Sequence, residues 1–186
     1  MRIISGKAKG TKLYTLEGLN TRPTLDRVRE SLFNMLQYKL KDCIFLDLFS
    51  GSGACGLEAV SRGAKKAILC DNSKQAIEII KKNVEKTHTN EQVEIYQETF
   101  ENVLNNRIKE KLDIIYIDPP YDTDFAYKAI KIILEKKLIT EDSTIIIETD
   151  QEKRIKEKLK ELEIEIMDER KYGRAHLIFL NQKRKG

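Results

Sequence analysis

Five continuous apolar runs, at 44–49, 67–71, 93–96, 113–117 and 143–148, alternate with stretches of helical spacing at about 54–62, 73–88, 100–110 and 124–137, with one more at 151–162. A run that is apolar at every position has no face to offer to water, so both of its sides must be covered. Strands covered by helices on both faces form a doubly wound parallel sheet. The chain ends differently. Runs at 163–170 and 174–180 are joined only by Lys171-Tyr172-Gly173, a link too short for a crossover, so this pair must be antiparallel. The expected fold is α/β, a mostly parallel seven-stranded sheet ending in an antiparallel hairpin.

Residues 1–22 stand ahead of this pattern. Arg2-Ile3-Ile4 and Lys12-Leu13-Tyr14-Thr15-Leu16 flank Gly6 and Gly10 and read as a small β-hairpin, with a mobile loop at Glu17-Gly18-Leu19-Asn20. Helical signals begin at Pro23-Thr24, with Thr24 as N-cap and Val28, Leu32, Met35, Leu36 and Leu40 on one face. The chain therefore divides into a hairpin extension (1–22) and a main domain (23–186). Charge divides along nearly the same line: residues 1–40 carry eight bases and three acids, whereas the remaining 146 residues are close to balanced. A basic arm of this kind suits a polyanion. Its candidate contacts are Arg2, Lys7, Lys9, Lys12, Arg22, Arg27 and Arg29. For Arg27 and Arg29 the competing expectation is salt bridging to Asp26 and Glu30.

Composition narrows the function classes. The 186 residues are 40% hydrophobic and 34% charged, enough for one domain with a sizeable core. No apolar run approaches the roughly 20 residues of a membrane span, and Met1-Arg2-Ile3-Ile4-Ser5-Gly6-Lys7 is no signal peptide. Cys43, Cys55 and Cys70 form no C-x-x-C pair and read as free thiols of a reducing cytoplasm. His88 and His176 stand alone in their segments, so neither a metal cluster nor a histidine-based mechanism is expected.

The first apolar run passes into Asp47-Leu48-Phe49-Ser50-Gly51-Ser52-Gly53-Ala54-Cys55-Gly56. Gly51, Gly53 and Gly56 match G-x-G-x-x-G, in which glycines let the backbone turn tightly and approach a ligand. NAD, FAD and S-adenosylmethionine sites all use the motif. Asp71, with Asn72 after it, ends the second run, where a carboxylate accepts hydrogen bonds from both ribose hydroxyls of an adenosine. An NAD enzyme needs a substrate domain for which this chain is too short. Asp47, at the end of the first run and beside Phe49 and Ser50, suits the sulfonium and ammonium of S-adenosylmethionine better than a pyrophosphate.

The fourth run ends in Asp118-Pro119-Pro120-Tyr121. The two prolines have no N–H and fix φ, so the chain leaves the strand rigid, with carbonyls free to accept. Asp118 and the Pro119 carbonyl can take the two N–H bonds of a planar amine while the Tyr121 ring stacks on its ring system. Alone, the tetrapeptide fits a plain proline turn equally well. Opposite a methyl donor on the same sheet edge, it specifies N-methyl transfer to a nucleobase.

At this point the sequence resembles the RsmD-type family of bacterial 16S rRNA guanine-N2 methyltransferases. The resemblance rests on Arg2-Ile3-Ile4 with Lys9-Gly10, Arg22-Pro23-Thr24 through Asp26-Arg27-Val28-Arg29-Glu30-Ser31-Leu32-Phe33-Asn34, Asp47-Leu48-Phe49 with the glycine loop, Leu57-Glu58-Ala59 with Ser61-Arg62-Gly63-Ala64, Asp118-Pro119-Pro120-Tyr121 and Tyr172-Gly173. It implies a Rossmann-like class I S-adenosylmethionine-dependent methyltransferase fold. It also implies one methyl group placed on the exocyclic N2 of a guanine, in an assembled or assembling small subunit, by a cytoplasmic monomer. Two departures stand out. Ser5 replaces a usual second glycine, and Glu98-Thr99 stand where an aspartate commonly contacts the adenine amino group. A DNA adenine-N6 methyltransferase uses the same D-P-P-Y logic, and a non-catalytic RNA-binding or assembly module is the alternative outside catalysis.

Overall fold

The central parallel strands, such as Ile44–Asp47 and Leu112–Ile117, are short and mostly apolar, and the computed structural model, which describes residues 1–16 and 23–184, shows what covers them. A first helix, α1 (Pro23–Met35), precedes the sheet. Then follow β1 (Ile44–Asp47), α2 (Ala54–Ser61), β2 (Lys66–Asp71), α3 (Lys74–Thr87) and β3 (Val93–Gln97). The second half contains α4 (Phe100–Asn102), β4 (Leu112–Ile117), α5 (Phe125–Glu135), β5 (Ile139–Thr149), α6 (Glu152–Leu159), β6 (Ile164–Tyr172) and β7 (Ala175–Gln182).

The seven strands lie in the order β3-β2-β1-β4-β5-β7-β6. β1 through β5 pair in parallel, and β7 runs antiparallel between β5 and β6. This is the class I methyltransferase plan expected from the sequence. Alternation along each strand feeds two cores. Phe45, Leu69 and Ile114 pack with Leu32, Phe33 and Leu57 on the side of α1 and α2, whereas Leu46, Ile68 and Ile115 pack with Ile130 and Ile133 on the side of α5. Gly56 is required where α2 crosses β2, because a Cβ there would lie 2.1 Å from the Leu69 side chain.

Four boundaries differ from the sequence expectation. The helix expected at 100–110 is one turn of α4 followed by a π-helical turn at Val103–Arg107. Asparagines interrupt it: Asn105 Nδ2 donates to the Glu101 carbonyl (2.8 Å), and Asn106 Nδ2 donates to the Asn102 side chain (2.5 Å), the local competition that weakens helices. β5 starts at Ile139, which pairs with Leu112 ahead of a register shift. The final hairpin turns on Gly173-Arg174, with Gly173 at φ 62°, so Lys171 and Tyr172 remain in strand β6. Helix α1 already includes Pro23, which places Thr24 inside its first turn instead of ahead of it, in keeping with proline's preference for that position. The loop expected at 17–20 lies outside the described residues.

The N-terminal segment makes one antiparallel bridge, Arg2 to Lys12, not an extended ladder. Some of its main-chain groups bond within the segment, such as Ile3 N–H to the Thr11 carbonyl (3.0 Å), and others bond to the main domain. Glu58 of α2, 0% exposed, accepts from the N–H groups of Ile4 (2.7 Å) and Ser5 (3.0 Å) and from Arg62 Nε (2.7 Å). Ser61 receives Lys7 N–H at its carbonyl (2.8 Å) and donates its hydroxyl to the Ser5 carbonyl (2.6 Å). Gly6, at φ 83°, passes so close that a Cβ would lie 1.8 Å from the Ser61 carbonyl oxygen. Asn83 of α3 fixes Tyr14 from both sides, accepting its N–H (2.8 Å) and donating to its carbonyl (2.9 Å). Ile3 and Leu13 are buried in the core.

Removing a buried carboxylate strands its donors. Glu58→Ala is expected to cost about 3–5 kcal/mol and to expose the Ile4 and Ser5 amides. Thermal denaturation together with amide hydrogen exchange checks both effects.

Candidate functional site

β1, β2, β4 and β5 each finish at or beside an acid at the C-terminal edge of the sheet: Asp47, Asp71, Asp118 and Glu148. This is the edge on which open α/β sheets bind ligands. Register sets which of them meet. Asp47 pairs with Tyr116 across β1 and β4, and Ile117 pairs with Ile147 across β4 and β5, which brings Asp118 beside Glu148.

Ser50 ties the glycine loop to both neighbouring strands. Its hydroxyl donates to the Asp47 carbonyl (2.9 Å) and accepts from the Cys70 N–H (3.0 Å), while its own N–H reaches the Cys70 carbonyl (2.9 Å). Gly51 (φ 55°) and Gly53 (φ 79°) adopt left-handed backbone that a side chain would strain, and Gly53 leads directly into α2. Asp71 accepts from Gly51 N–H and Ser73 N–H, both at 2.9 Å, one on each carboxylate oxygen. Each oxygen keeps a lone pair for a further donor. Asn72 is exposed in the turn after Asp71.

Asp47 is 1% exposed. Burial, reinforced by the charge of Asp71 and opposed by hydrogen bonds from Phe49 and Ser50, pushes it up to about 7. A cation bound here would favour its charged form. Phe49 lies half-buried in an aromatic group, stacked on Phe125 with centroids 6.2 Å apart and tilted against Phe100 at 5.4 Å. This forms an apolar wall beside the loop.

Asp118 has surface open to solvent. Partial burial of the carboxyl, then the charges of Glu148 and Asp47, hold it above the usual carboxylate range. Pro119 is half-buried and Pro120 exposed; the Pro120 carbonyl accepts from the Thr123 hydroxyl (2.8 Å). Tyr121, which follows the two prolines, is 78% exposed.

Glu98 and Thr99 are engaged locally. Glu98 pairs with Arg107 (2.5 Å) and receives Asn102 Nδ2. The Arg107 hydrogen bond holds its carboxyl below the usual range. The Thr99 hydroxyl caps α4 through the Asn102 N–H (3.3 Å).

Of the basic residues, Arg2, Lys7, Lys9, Lys12 and Arg27 are exposed, and Arg22 lies outside the described residues. Arg29 corrects the sequence expectation of an RNA contact. It is 5% exposed, its Nη2 donates to the Arg2 carbonyl and to Asp26 (3.1 Å), and its Nε has no acceptor among the protein atoms. The helix pairing weighed against the arm reading holds at this residue, because α1 turns it inward.

Sequence reasoning passed over Glu148, Tyr116 and Cys55. The Tyr116 hydroxyl donates to Glu148. The thiol of Cys55, at the start of α2, is pushed up by burial and by the charges of Asp47, Glu148 and Asp118, with Arg29 opposing. The signal for Glu148 was available: Ile145-Ile146-Ile147-Glu148 repeats the apolar-run-then-acid pattern that marked Asp47 and Asp118. Asn83 had no such signal in the middle of a helix.

A family model described as "Conserved hypothetical protein 95" matches residues 1–181. The chain is 37% identical to Ribosomal RNA small subunit methyltransferase D of Buchnera aphidicola subsp. Acyrthosiphon pisum, over 82% of this chain and 80% of that one. It is 34% identical to the protein of the same name from Haemophilus influenzae, with the same coverage. A solved structure of a hypothetical protein from Thermus thermophilus superposes with a TM-score of 0.77 at 28% identity, covering 96% of this chain and 98% of that one.

An acid raised in the folded state to about 7 binds a proton that the unfolded chain releases near 3.8. Asp47 therefore costs no stability below the unfolded value and imposes its full cost above about pH 7. Asp47→Asn is expected to stabilise the protein at pH 8 by on the order of 2–4 kcal/mol, with no gain near pH 3.5. Urea denaturation at the two pH values checks it.

Proposed function

The chain belongs to the family described as Conserved hypothetical protein 95, and from that premise we propose that it transfers a methyl group from S-adenosylmethionine to the exocyclic N2 of a guanine in 16S rRNA. It acts as a monomer on the assembled or assembling small subunit. The observation that carries the reading is the placement of Asp118-Pro119-Pro120-Tyr121 directly after β4, on the same sheet edge as the glycine loop and with Asp118 in the field of Asp47. The relatives named Ribosomal RNA small subunit methyltransferase D support the rRNA substrate. The amine grip and the resemblance of the N-terminal motifs support the guanine.

The residues present fit the cofactor. Gly51 opens onto free space, with nothing within 4 Å of where a Cβ would lie, Asp71 has lone pairs for ribose hydroxyls, and buried Asp47 complements the sulfonium and ammonium. When bound, the cofactor supplies an electrophilic methyl group on positive sulfur. The chain's own residues do the rest. Asp118 and the Pro119 carbonyl accept the two N2–H bonds and turn the nitrogen lone pair toward the methyl. With the cofactor bound, that lone pair would form the new N–C bond and the electrons of the broken S–C bond would stay on the departing sulfur. The proton that N2 then sheds passes to an Asp118 oxygen. Tyr121, exposed to solvent, stacks on the base and repays the few kcal/mol needed to unstack it. Catalysis is mainly orientation, which can supply roughly 7–11 kcal/mol.

Incubation with labelled S-adenosylmethionine and undermethylated small subunits, followed by mapping of the labelled nucleotide, tests the reading. N2-methylguanine in 16S rRNA is expected; in a parallel incubation with duplex DNA, label on adenine with none on the subunits would overturn it. Asp118→Ala should reduce single-turnover methylation by roughly 100-fold or more and leave S-adenosylhomocysteine binding by calorimetry nearly unchanged. Tyr121→Ala should lose stacking worth ~1–3 kcal/mol.

Lys7, Lys9 and Lys12 are exposed along the N-terminal segment and hold the RNA backbone. Their triple alanine variant should keep its melting temperature and bind RNA more weakly. The slope of log affinity against log salt should flatten by up to ~0.7–0.9 per lost phosphate contact. An unaltered slope would remove these lysines from the interface.

A further inference from the structure

Glu148 lies outside the D-P-P-Y sequence and the glycine loop, yet the sheet delivers it to the same place. Ile117 and Ile147 are register partners on β4 and β5, so the next residue on each strand is an acid, Asp118 and Glu148. Tyr116, one turn of the pleat earlier and almost wholly buried, directs its hydroxyl to the Glu148 carboxylate. A phenol has a single proton to donate, and this one is aimed away from Asp118. This hydrogen bond favours the charged form of Glu148 beside the residue that grips the amine. We propose that Glu148 is a positioning residue for methyl transfer: its charge, anchored by the Tyr116 hydroxyl, keeps Asp118 ready to receive the proton that the methylated amine sheds.

The groups facing Glu148 fit this role. From β4 come Tyr116 and Asp118, and from α2 the Cys55 thiol; Asp47 of β1 acts on Asp118, and Arg29 of α1 lies within electrostatic reach of Cys55. On its other side β7 offers the apolar Leu177 as register partner. Burial and the charge of Glu148 raise the Tyr116 hydroxyl well above its usual range, so it stays a donor. Burial raises Glu148 itself and the Tyr116 hydrogen bond opposes that rise, while Asp118 rises through its own burial and the Glu148 charge. The bond from Tyr116 thus favours the ion at Glu148 and leaves Asp118 to take the proton. Once Asp118 accepts it, two facing negative charges become one, which favours proton release from the product.

The inference rests on the amine-grip reading, and its first test is independent of any nucleic acid. The Asp118 carboxyl is titrated by carbon-13 NMR in the full chain without substrate, in the wild type and in Glu148→Gln, which keeps an acceptor for Tyr116 and loses the charge. The Asp118 midpoint is expected to fall by about one pH unit or more. Tyr116→Phe should move it in the same direction, because Glu148 without its donor takes the proton first; this variant decides if Glu148→Gln does not fold. Single-turnover methylation of undermethylated small subunits then reads the consequence. The acid limb of the rate profile should follow the midpoint to lower pH, and the plateau should drop several-fold. A merely structural role would lower the rate by one factor at every pH. An unmoved Asp118 midpoint, or an acid limb that stays in place, would overturn the proposal. Wild-type protein that methylates no guanine would instead overturn the substrate reading, with the titration still deciding the pairing of Asp118 and Glu148.

Discussion

The parallel register of β1, β4 and β5 is the constraint from which the site follows. With Asp47 opposite Tyr116 and Ile117 opposite Ile147, three carboxylates and a phenol converge on one side of the sheet edge. No loop has to be ordered to assemble them. The backbone bonds of the ladder hold them, and a slip of one residue would send alternate side chains to the other face. Concentrating negative charge this way is expensive in the free protein, as the raised Asp47 and Asp118 show. A ligand carrying a sulfonium and an ammonium offsets that cost, so affinity for the cofactor and strain in its absence have one origin.

Structure near the site is more closely tied to the N-terminal segment than a hairpin extension implies. Asn83 Nδ2 bridges the Tyr14 carbonyl and the Ser52 carbonyl, each at 2.9 Å, linking the basic segment directly to the glycine loop. The segment's exposed lysines project from a backbone whose amides bond to Glu58 and Ser61. Arg29 takes a different part from its neighbours. It joins Asp26 of its own helix to the Arg2 carbonyl, so the cation that looked available for phosphate instead holds α1 against the arm.

Much of this was legible in the sequence, and the parts that were not share a reason. Continuous apolar runs and the short final link suffice for the sheet, because burial of both faces and chain connectivity leave few topologies. The glycine loop, Asp71 and Asp118-Pro119-Pro120-Tyr121 were legible as motifs because each depends on residues adjacent in the chain. Glu148 carried the same local signal of an acid after an apolar run, but its pairing with Tyr116 and Asp118, about thirty residues away, is set by register and not by neighbours in the chain. The direction of Arg29 depends on the rotation of α1 about its axis, which spacing at the level of charge alone leaves open. The break in the helix after Thr99 reflects side-chain bonds from Asn105 and Asn106 that propensity registers only weakly.

The docking of the first residues onto α2 has a consequence for the order of events during synthesis. Ile4 and Ser5 leave the ribosome long before Glu58, their acceptor more than fifty positions later. α2 in turn starts from Gly53 of the glycine loop. The basic segment therefore has no seat until the loop that approaches the cofactor has formed and α2 has closed on β2. A nascent chain emerging beside the ribosome's own RNA thus displays its lysines in their final arrangement only after the glycine loop and α2 exist, and order at its N-terminus reports that step.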